Sequence, residues 1–295
     1  MSSPAQRFLA ALEQECPLQI AGVIHAYAAK LAGRAGFQAL YLSGAGVANA
    51  SFGLPDLGFT TLDQVAEDAR RITSATSLPL LVDIDTGWEE DLVSGRTMAV
   101  MHQAGAAAVQ LEDQVSMKRC GHRPGKKLVS REDMIERIRA ARSTRPPGGP
   151  LIMARTDAVA GEGVASALDR AQAYVAEGAE LLFAEAVESL ADYQRFCREI
   201  PVPVLANITE FGKTPLFTVE ELRESGVRMV LYPLSAFRAM SRTAEEVYRC
   251  IRAKGTQRDL LDRMQTRSDL YAVLDYEAQE QKIDEAIGPS GSVKE

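Results

Sequence analysis

The chain has 295 residues, of which 46% are hydrophobic and 25% are charged, and its formal net charge at pH 7 is -7. The apolar fraction is enough for a large core and unlike that of a disordered chain. The acidic balance argues against a nucleic-acid partner, because binding to phosphates requires a basic face. No apolar stretch approaches the roughly 20 residues of a membrane span, and the N-terminus lacks the pattern of a signal peptide. We therefore predict a cytoplasmic globular protein that binds neither membranes nor nucleic acid.

Short apolar runs of strand length alternate with longer amphipathic segments along the chain. The predicted strands are 18–26, 39–43, 79–85, 107–113, 151–157, 181–186, 203–208 and 228–233. The predicted helices between them include 60–77, 90–104, 130–142, 163–177 and 219–225. Almost continuously apolar strands that alternate with helices are typical of a parallel sheet covered on both faces. Eight such pairs predict an α/β fold of the (β/α)8 TIM-barrel type.

A doubly wound sheet is the alternative fold. It is disfavoured because the first strand-to-helix turn lacks the G-x-G-x-x-G fingerprint of dinucleotide binding. The proline- and glycine-rich segment 143–150 is interpreted as a surface loop, since the strand–helix alternation resumes directly after it. We therefore predict one barrel domain over residues 1–295. Within it, residues 256–295 form a C-terminal helical extension and tail that caps the barrel or contacts a partner subunit.

Polar side chains stand where six of the eight predicted strands end. The strand-end segments read YLSGAG, LVDIDTG, VQLEDQ, MARTD, FAEA and LANITE. In a (β/α)8 barrel the reacting groups lie at the carboxyl ends of the strands. A set of this size is better explained by one convergent site than by six unrelated solvated loops.

Asp83 and Asp85 are the strongest candidates for metal ligands. They are separated by one residue on a predicted strand, so we expect their side chains to share a face. Two carboxylates aimed at one point repel each other unless a cation or a proton lies between them. A ligand set made only of oxygen atoms suits Mg²⁺. Glu112 and Asp113, at the end of the next predicted strand, can reach the same ion directly or through water.

A cation and a further carboxylate belong to the same predicted site. Arg155 lies near the end of the fifth predicted strand and offers a planar fork that matches a substrate carboxylate. Glu185 lies near the end of the sixth predicted strand. A metal ion with cations close to it fits a small polyanionic substrate.

The segment 118–127, which reads KRCGHRPGKK, is the second informative feature. The chain has four cysteines, which are too few for a disulfide framework and form no C-x-x-C pair for zinc. Cys120 differs from the other three because it lies among cationic residues in a loop with glycine and proline, where the thiolate is favoured. A loop over the mouth of a barrel is also how many enzymes exclude water. The alternative is a solvated basic loop with an incidental thiol.

These segments together resemble one known family. The isocitrate lyase/phosphoenolpyruvate mutase superfamily has motifs similar to SGAG (43–46), GLPDLG (53–58), DIDTG (83–87), LEDQ (111–114), KRCGH (118–122), MARTD (153–157) and NITEFG (207–212). The resemblance continues through LYPLSAFRAM (231–240) and MQTR (264–267), so it covers nearly the whole chain. KRCGH is the most specific motif, because in this superfamily it marks the lyase branch.

The resemblance implies a role for each matching residue. Asp83 and Asp85 would hold Mg²⁺, with Mn²⁺ as an alternative ion, Asp83 binding through water and Asp56 and Glu112 giving support. Cys120 would be the catalytic acid/base. The implied substrate-binding set is Ser43, Gly44, Ala45, Cys120, Gly121, His122, Arg155, Glu185, Asn207, Thr209, Arg238 and Arg267. Within that set, residues 43–45 would contact the pyruvate-derived half of the substrate, and Gly121, Asn207, Thr209, Arg238 and Arg267 the succinate-derived half.

The implied activity is cleavage of the C2–C3 bond of 2-methylisocitrate, a tricarboxylate, to pyruvate and succinate in the methylcitrate cycle of propionate catabolism. Phe183 stands where isocitrate lyases tend to carry tryptophan, and with Leu231 it would leave room for the extra methyl group. The implied assembly is a homotetramer with exchanged terminal helices. The alternatives are an isocitrate lyase-like activity, an oxaloacetate decarboxylase or carbon–phosphorus bond enzyme of the same superfamily, and a non-catalytic barrel that serves as a binding or scaffold protein.

Overall fold

The structure is a computed structural model, and it describes residues 2–119, 121 and 125–287. It divides into two compact units, Met1–Arg238 and Ala239–Glu295, each of which is described by itself. Among the described residues, no helix is both long enough and apolar enough to cross a membrane. The single domain with an extension from residue 256 stays a prediction.

The first unit contains eight parallel strands that close into a barrel in sequence order. The strands are β1 (Leu18–Gly22), β2 (Ala39–Leu42), β3 (Leu80–Asp83), β4 (Ala108–Glu112), β5 (Leu151–Thr156), β6 (Leu181–Ala184), β7 (Val204–Asn207) and β8 (Met229–Tyr232). All but two of the strand residues are buried, as expected when helices cover the outer face of a parallel sheet. The predicted (β/α)8 barrel is confirmed.

Helices connect and cover the strands of the first unit. They are α1 (Pro4–Gln14), α2 (Ala26–Arg34), α3 (Gly44–Gly46), α4 (Leu62–Ala75), α5 (Glu90–Val93), α6 (Arg96–Gln103), α7 (Arg131–Thr144), α8 (Val159–Glu162), α9 (Val164–Ala176), α10 (Leu190–Glu199) and α11 (Val219–Glu224), with a π-helical turn at Val47–Ser51. The helix α12 (Ser235–Lys254) begins in this unit and continues into the second. Capping boxes begin α4 at Thr61, α7 at Ser130 and α11 at Thr218, which explains why these helices start where the sequence predicts.

The second unit is helical throughout its described part. After α12 it contains a 3-10 helix (Arg258–Arg263), α13 (Arg267–Leu274) and α14 (Tyr276–Ile287). The rings of Tyr271 and Tyr276 stack at 4.4 Å across the junction of the last two helices. The helical pattern predicted for the polar C-terminal region agrees with this arrangement.

The core consists of the barrel interior and the layer between the barrel and its helices. Inside the barrel, Phe8 and Leu12 of α1 belong to the same apolar cluster as Ile20, Leu81 and Leu205 from the strands. Helix α1 therefore contributes to the core inside the barrel. The strand ends bear polar side chains instead, and the parallel pairing sets Glu112 opposite Arg155.

The predicted helix 90–104 is wrong as a single element. It consists of α5 and α6, which are separated at Ser94 and Gly95. Gly95 has a φ of 80°, and a Cβ added to it would lie 2.9 Å from Thr144 Cβ. A glycine in this left-handed, crowded position interrupts the helix, although the apolar periodicity continues across it.

Candidate active site

Three buried carboxylates meet at the carboxyl ends of β3 and β4. Asp83, Asp85 and Glu112 each offer an oxygen atom, and these atoms lie within 4.8 Å of one another. Asp83 ends β3, and its Oδ2 accepts a hydrogen bond from the backbone N–H of Gly44 at 3.0 Å. Its Oδ1 accepts one from the backbone N–H of Asp85 at 3.1 Å. The backbone around the cluster therefore fixes Asp83 before any ligand binds.

Asp85 reaches this cluster by a turn and not by the strand geometry that its spacing predicts. Strand β3 ends at Asp83, and Asp85 has a φ of 48° in the left-handed region. The expectation that the two side chains share one face of a strand is therefore wrong, because the chain has already left the sheet. Aspartate is one of the few residues that accept this conformation, and such strained positions often belong to functional sites.

Gly44 shows how closely the backbone approaches these carboxylates. A Cβ added to it would lie 2.9 Å from Asp85 Oδ1 and 3.2 Å from Asp83 Oδ2. Any larger residue would push into the space that the carboxylate oxygens face. Ser43 and Ala45, on either side of it, line the same cavity.

The chemistry of the cluster fits a divalent cation with oxygen ligands. Glu112 is fully buried, and neither of its oxygens accepts a hydrogen bond from any residue that the structure describes. Burial raises the pKa of the Glu112 carboxyl well above its usual value, although the charges of Arg155 and Lys118 oppose the shift. Buried carboxylate oxygens without donors are costly unless a proton or a metal ion satisfies them. The residues present therefore suit Mg²⁺ or Mn²⁺.

Lys118 is a site residue that the sequence reasoning missed as an individual side chain. Its Nζ lies 2.6 Å from Asp85 Oδ1 and 2.5 Å from Asp56 Oδ1, and its side chain is only 4% exposed. Burial by itself lowers the pKa of the Lys118 amine, but the attraction of nearby carboxylates, led by Asp85, holds it well above its usual value. Lys118 is thus a buried cation that links Asp56 to the acidic cluster. Its position in the KRCGH motif is the sequence feature that could have identified it as a site residue.

Asp113 does not belong to the cluster, so the prediction that it reaches the same ion is wrong. Its carboxylate accepts hydrogen bonds from Thr156 Oγ1 at 2.8 Å, Tyr174 OH at 2.9 Å and the backbone N–H of Asp157 at 2.9 Å. Successive side chains of an extended segment point to opposite sides. Glu112 therefore faces the cluster while Asp113 supports the packing behind it.

Arg155 lies at the centre of a second set of charges. Its Nε donates to Asp157 Oδ2 at 2.9 Å and lies 3.4 Å from Glu112 Oε2, and its Nη2 lies 3.1 Å from Glu185 Oε2. Its guanidinium also lies over the ring of Phe183, with 5.0 Å from Cζ to the centroid. Burial lowers the pKa of Arg155, but the surrounding carboxylates outweigh it and keep the group charged. Arg155 is therefore held as a fixed cation at the cavity.

Gly121 lies against this second set of charges. A Cβ added to Gly121 would lie 2.5 Å from Arg155 Nη2 and 2.6 Å from Glu185 Oε2. Only glycine can lie this close to the two side chains. Cys120 and His122, its neighbours in sequence, lie outside the described residues, and their roles stay predictions.

Members of both sets of charges, including Asp83, Arg155 and Glu185, line one cavity of about 240 Å³ in the first unit. Its lining residues are Tyr41, Ser43, Ala45, Asp56, Asp83, Lys118, Gly121, Arg155, Phe183, Glu185, Asn207, Thr209, Glu210, Phe211, Gly212, Leu231, Pro233, Leu234 and Arg238. Asn207 and Thr209 are nearly buried, whereas the Arg238 side chain is 47% exposed and lies 3.8 Å from Glu210. Arg267 is the first residue of α13 in the second unit.

Metal binding is expected to weaken as the pH falls below about 6. Burial, with the negative charge of Asp83, raises the pKa of Asp85 from 3.8 to about 6 against the opposing attraction of Lys118. Below that value a proton on Asp85 competes with the cation, so the affinity should fall by about tenfold per pH unit. Titrating the protein with Mn²⁺, followed by its paramagnetic resonance, between about pH 5 and pH 8 measures this. An affinity that is flat over this range would contradict the assignment of Asp85 as a ligand.

A closed (β/α)8 barrel with a charged cavity at the carboxyl ends of its strands and a cluster of buried carboxylates is typical of enzymes of the TIM-barrel class. The family model described as phosphoenolpyruvate phosphomutase matches residues 8–252. The chain belongs to this family. The resemblance to the isocitrate lyase/phosphoenolpyruvate mutase superfamily is thereby confirmed.

Individual relatives agree with this assignment over nearly the full length of the chain. The 2-methylisocitrate lyase of Escherichia coli (strain K12) is 55% identical over 291 residues, which are 98% of both chains. The crystal structure of 2,3-dimethylmalate lyase is 31% identical with a TM-score of 0.89 and covers all of both chains. Phosphonopyruvate hydrolase, solved in complex with oxalate and Mg²⁺, is 26% identical with a TM-score of 0.81, covering 96% of this chain and 98% of its own.

Proposed function

We propose that the protein is a Mg²⁺-dependent lyase that cleaves the C2–C3 bond of 2-methylisocitrate to give pyruvate and succinate. The observation that carries the proposal is the composition of the cavity: Asp83 of the carboxylate cluster, a fixed arginine and an apolar patch line one space of about 240 Å³. The 55% identity to the 2-methylisocitrate lyase of Escherichia coli supports the choice of substrate. A carboxylate-rich substrate with one methyl group would use all three features.

Asp83 and Asp85 are the proposed metal ligands, with Asp56 and Glu112 in support. The oxygens of Glu112, which accept no hydrogen bond from the described residues, favour a cation near them. When bound, Mg²⁺ would supply Lewis-acid polarisation of the substrate oxygens that become the carbonyl and carboxylate of pyruvate. Mn²⁺ is the proposed alternative ion. Lys118 holds Asp56 and Asp85 in place and adds a positive charge beside the same oxygens.

The substrate carries three carboxylates, and the proposed residues divide them between the two ends of the cavity. Residues 43–45 would contact the pyruvate-derived half with backbone N–H and hydroxyl groups. The succinate-derived half would contact Gly121, Asn207 and Thr209, together with Arg238 and Arg267. Arg155 would bind a carboxylate, and its contacts to Asp157 and Glu185 hold its guanidinium in one orientation for that purpose.

The proton balance of the reaction assigns a task to Cys120. Cleavage removes the proton of the substrate hydroxyl, and the electron pair of the broken bond stays on the carbon that was C3 of the substrate and now belongs to the succinate half. That carbon must then receive one proton, so the reaction releases no net proton. We assign the donor to the Cys120 thiol because Gly121, the next residue, lines the cavity and lies so close to Arg155 and Glu185 that a Cβ on it would clash with both. His122 is proposed to contact the same half of the substrate.

Phe183 and Leu231 are the proposed contacts of the methyl group. Both are almost completely buried, and both line the cavity. A Phe183→Trp variant is expected to lower the ratio of kcat/KM for 2-methylisocitrate to that for isocitrate by about 10- to 100-fold, because the larger ring fills the space for the methyl group. Phe59→Trp, at an exposed phenylalanine that does not line the cavity, is the matched control. An unchanged ratio in the Phe183 variant would mean that the methyl group binds elsewhere.

A substrate comparison tests the proposed function. The purified protein is given 2-methylisocitrate, isocitrate or oxaloacetate in the presence of Mg²⁺, with pyruvate read by lactate dehydrogenase and glyoxylate as its hydrazone. The expected result is the highest kcat/KM for 2-methylisocitrate and loss of turnover with EDTA. Preference for isocitrate with release of glyoxylate, or turnover of oxaloacetate alone, would replace this proposal with the corresponding alternative activity.

The assembly, which the sequence resemblance implies, and the cytoplasmic location, which the composition predicts, are also proposals. We expect a homotetramer that works in the cytoplasm on a small-molecule tricarboxylate. Light scattering coupled to size-exclusion chromatography measures the assembly. A monomer that turns over 2-methylisocitrate at full rate would refute the need for a partner subunit.

A further inference from the structure

A buried chain of hydrogen bonds links three neighbouring strands of the barrel, from Tyr41 on β2 through Gln110 on β4 to Asp83 on β3. The hydroxyl of Tyr41 on β2 donates to Gln110 Oε1 on β4 at 2.7 Å, and Gln110 Nε2 donates to Asp83 Oδ1 on β3 at 3.0 Å. Gln110 is completely buried, and Tyr41 and Asp83 are no more than 3% exposed. The strand register sets Gln110 directly opposite Asp83, so the barrel itself determines this contact. Gln110 has no part in the function proposed above.

The direction of each hydrogen bond in this chain is fixed by Asp83. Its two oxygens already accept from the backbone N–H groups of Gly44 and Asp85, so it faces Gln110 as an acceptor. Gln110 must therefore turn its amide NH₂ group toward Asp83, because the reverse orientation would set two acceptor oxygens 3.0 Å apart. Its carbonyl oxygen then faces Tyr41, and an amide oxygen can only accept. The hydroxyl of Tyr41 is left to donate.

Tyr41 consequently offers only lone pairs to any ligand in the cavity. A hydroxyl group has one hydrogen, and the hydrogen of Tyr41 is committed to Gln110. Burial and the negative charge of Asp83 raise the pKa of Tyr41 well above its usual value, so the phenol keeps that hydrogen. Tyr41 lines the cavity. A carboxylate cannot form a hydrogen bond to a group that only accepts.

We infer that Gln110 is a positioning residue that makes Tyr41 an obligate hydrogen-bond acceptor for the hydroxyl group of the substrate. This inference rests on the proposed function. Ionised 2-methylisocitrate has three carboxylates, which only accept, and a single hydroxyl, which is its only donor. Because the hydrogen bonds from Tyr41 to Gln110 and from Gln110 to Asp83 have this direction, Tyr41 accepts from the substrate hydroxyl. The three carboxylates then face the cations and N–H groups. The carbon–oxygen bond that becomes the carbonyl of pyruvate is thereby held beside the acidic cluster.

A double-mutant cycle tests this inference. Gln110→Met removes both hydrogen bonds of Gln110 at nearly constant volume, and Tyr41→Phe removes only the hydroxyl. Each single variant is expected to lower kcat on 2-methylisocitrate by about 10- to 100-fold, the scale of losing one oriented hydrogen bond in an active site. The double variant should be no slower than the slower single variant, because Gln110 acts through Tyr41. The inhibition constant of succinate, which has no hydroxyl, should stay within about twofold of the wild-type value.

Gln19→Met is the matched control. Gln19 also stands between a tyrosine and a carboxylate, since Tyr232 OH lies 3.5 Å from Gln19 Oε1 and Gln19 Nε2 donates to Glu15 Oε1 at 3.2 Å. None of these three residues lines the cavity, so this variant is expected to keep the wild-type kcat. Tyr41→Phe leaves the contact of Gln110 to Asp83 intact, so it tests the inference even if Gln110→Met folds poorly. Thermal unfolding of each variant reports whether it is folded.

The possible results separate this inference from its rivals. Losses that multiply in the double variant would overturn it, as would a kcat of Gln110→Met within about threefold of wild type. A loss in Gln110→Met that saturating Mg²⁺ restores would show that Gln110 acts on Asp83 and the metal instead. If the wild-type protein does not cleave 2-methylisocitrate, the proposed function fails first, and the role of Tyr41 fails with it.

Discussion

A Cys120→Ser variant is expected to lose about 10²- to 10⁴-fold in kcat on 2-methylisocitrate while its KM changes little. The reason is that a serine hydroxyl is a much weaker acid than a thiol and cannot protonate the carbon that was C3 of the substrate at neutral pH. Serine keeps the size and polarity of the side chain, so substrate binding should survive. Steady-state kinetics of pyruvate release under saturating Mg²⁺ measure both parameters. A kcat close to wild type would remove Cys120 from the mechanism.

The other cysteines supply controls for this experiment. Cys16 is exposed, and Cys16→Ser is expected to leave turnover unchanged. Cys197 is half-buried, and burial raises the pKa of its thiol to about 11, so it should react slowly with an alkylating reagent near neutral pH. Iodoacetamide should therefore inactivate the wild-type enzyme through Cys120, and succinate with Mg²⁺ should protect it. Equal rates of inactivation with and without succinate would contradict the placement of this thiol at the substrate.

An Asp85→Asn variant is expected to lose metal-dependent turnover by at least about 10³-fold, because the metal contributes several kcal/mol of charge stabilisation to the transition state. The change removes one negative charge from the cluster of Asp83, Asp85 and Glu112 and leaves Lys118 paired with Asp56 alone. Isothermal titration with Mg²⁺ should show weakened or absent binding in the same variant. Both quantities must fall together if Asp85 is a ligand.

Asp91→Asn is the matched control for this substitution. Asp91 lies in α5, where its partly exposed side chain pairs with Arg96 at 3.1 Å, and it does not line the cavity. Surface ion pairs of this kind contribute about 0–1 kcal/mol to stability, so the control should bind Mg²⁺ and turn over substrate normally. Mg²⁺ binding that persists in Asp85→Asn would place the metal on other ligands.

The fold could be predicted from the sequence because the patterns that indicate its strands and its helices are both local. Each strand is a short apolar run and each helix has its own periodicity and caps, so eight strand–helix pairs can be counted without long-range information. The break at Gly95 and the short strand β3 could not be predicted in this way. The break at Gly95 depends on Thr144, a residue distant in sequence. A Cβ added to Gly95 would lie 2.9 Å from the Cβ of Thr144.

The candidate site could be predicted where it lies at strand ends, whereas Lys118 in a loop and the site residues within strands were not identified individually. Asp83, Glu112 and Arg155 follow apolar runs, which made them conspicuous. Tyr41 and Gln110 stand inside strands, where a tyrosine or a glutamine resembles ordinary sheet residues. Their importance comes from the register that sets Gln110 beside Asp83, and register between strands is a tertiary property.

The direction of the Asp113 side chain also depends on tertiary structure. The sequence does not distinguish Glu112 from Asp113 as a site residue, because they are adjacent acids at a strand end, yet only Glu112 faces the cluster. Asp113 is committed to Thr156 and Tyr174, which come from elements later in the chain. Which of two neighbours faces the cavity is decided by where the strand ends relative to the barrel, and boundaries are the least reliable part of a sequence-based prediction.

The most direct test of C–C bond cleavage with protonation at carbon is to run the reaction in D₂O and analyse both products by NMR. Wild-type protein with Mg²⁺ and 2-methylisocitrate should release pyruvate and succinate in equal amounts, and each succinate should carry one deuterium at the carbon that was C3 of the substrate. This result would establish that the bond breaks between C2 and C3 and that an exchangeable group of the enzyme or solvent delivers the proton. Pyruvate without succinate, or no cleavage of 2-methylisocitrate while oxaloacetate is consumed, would contradict the assignment of this barrel as a lyase for that substrate.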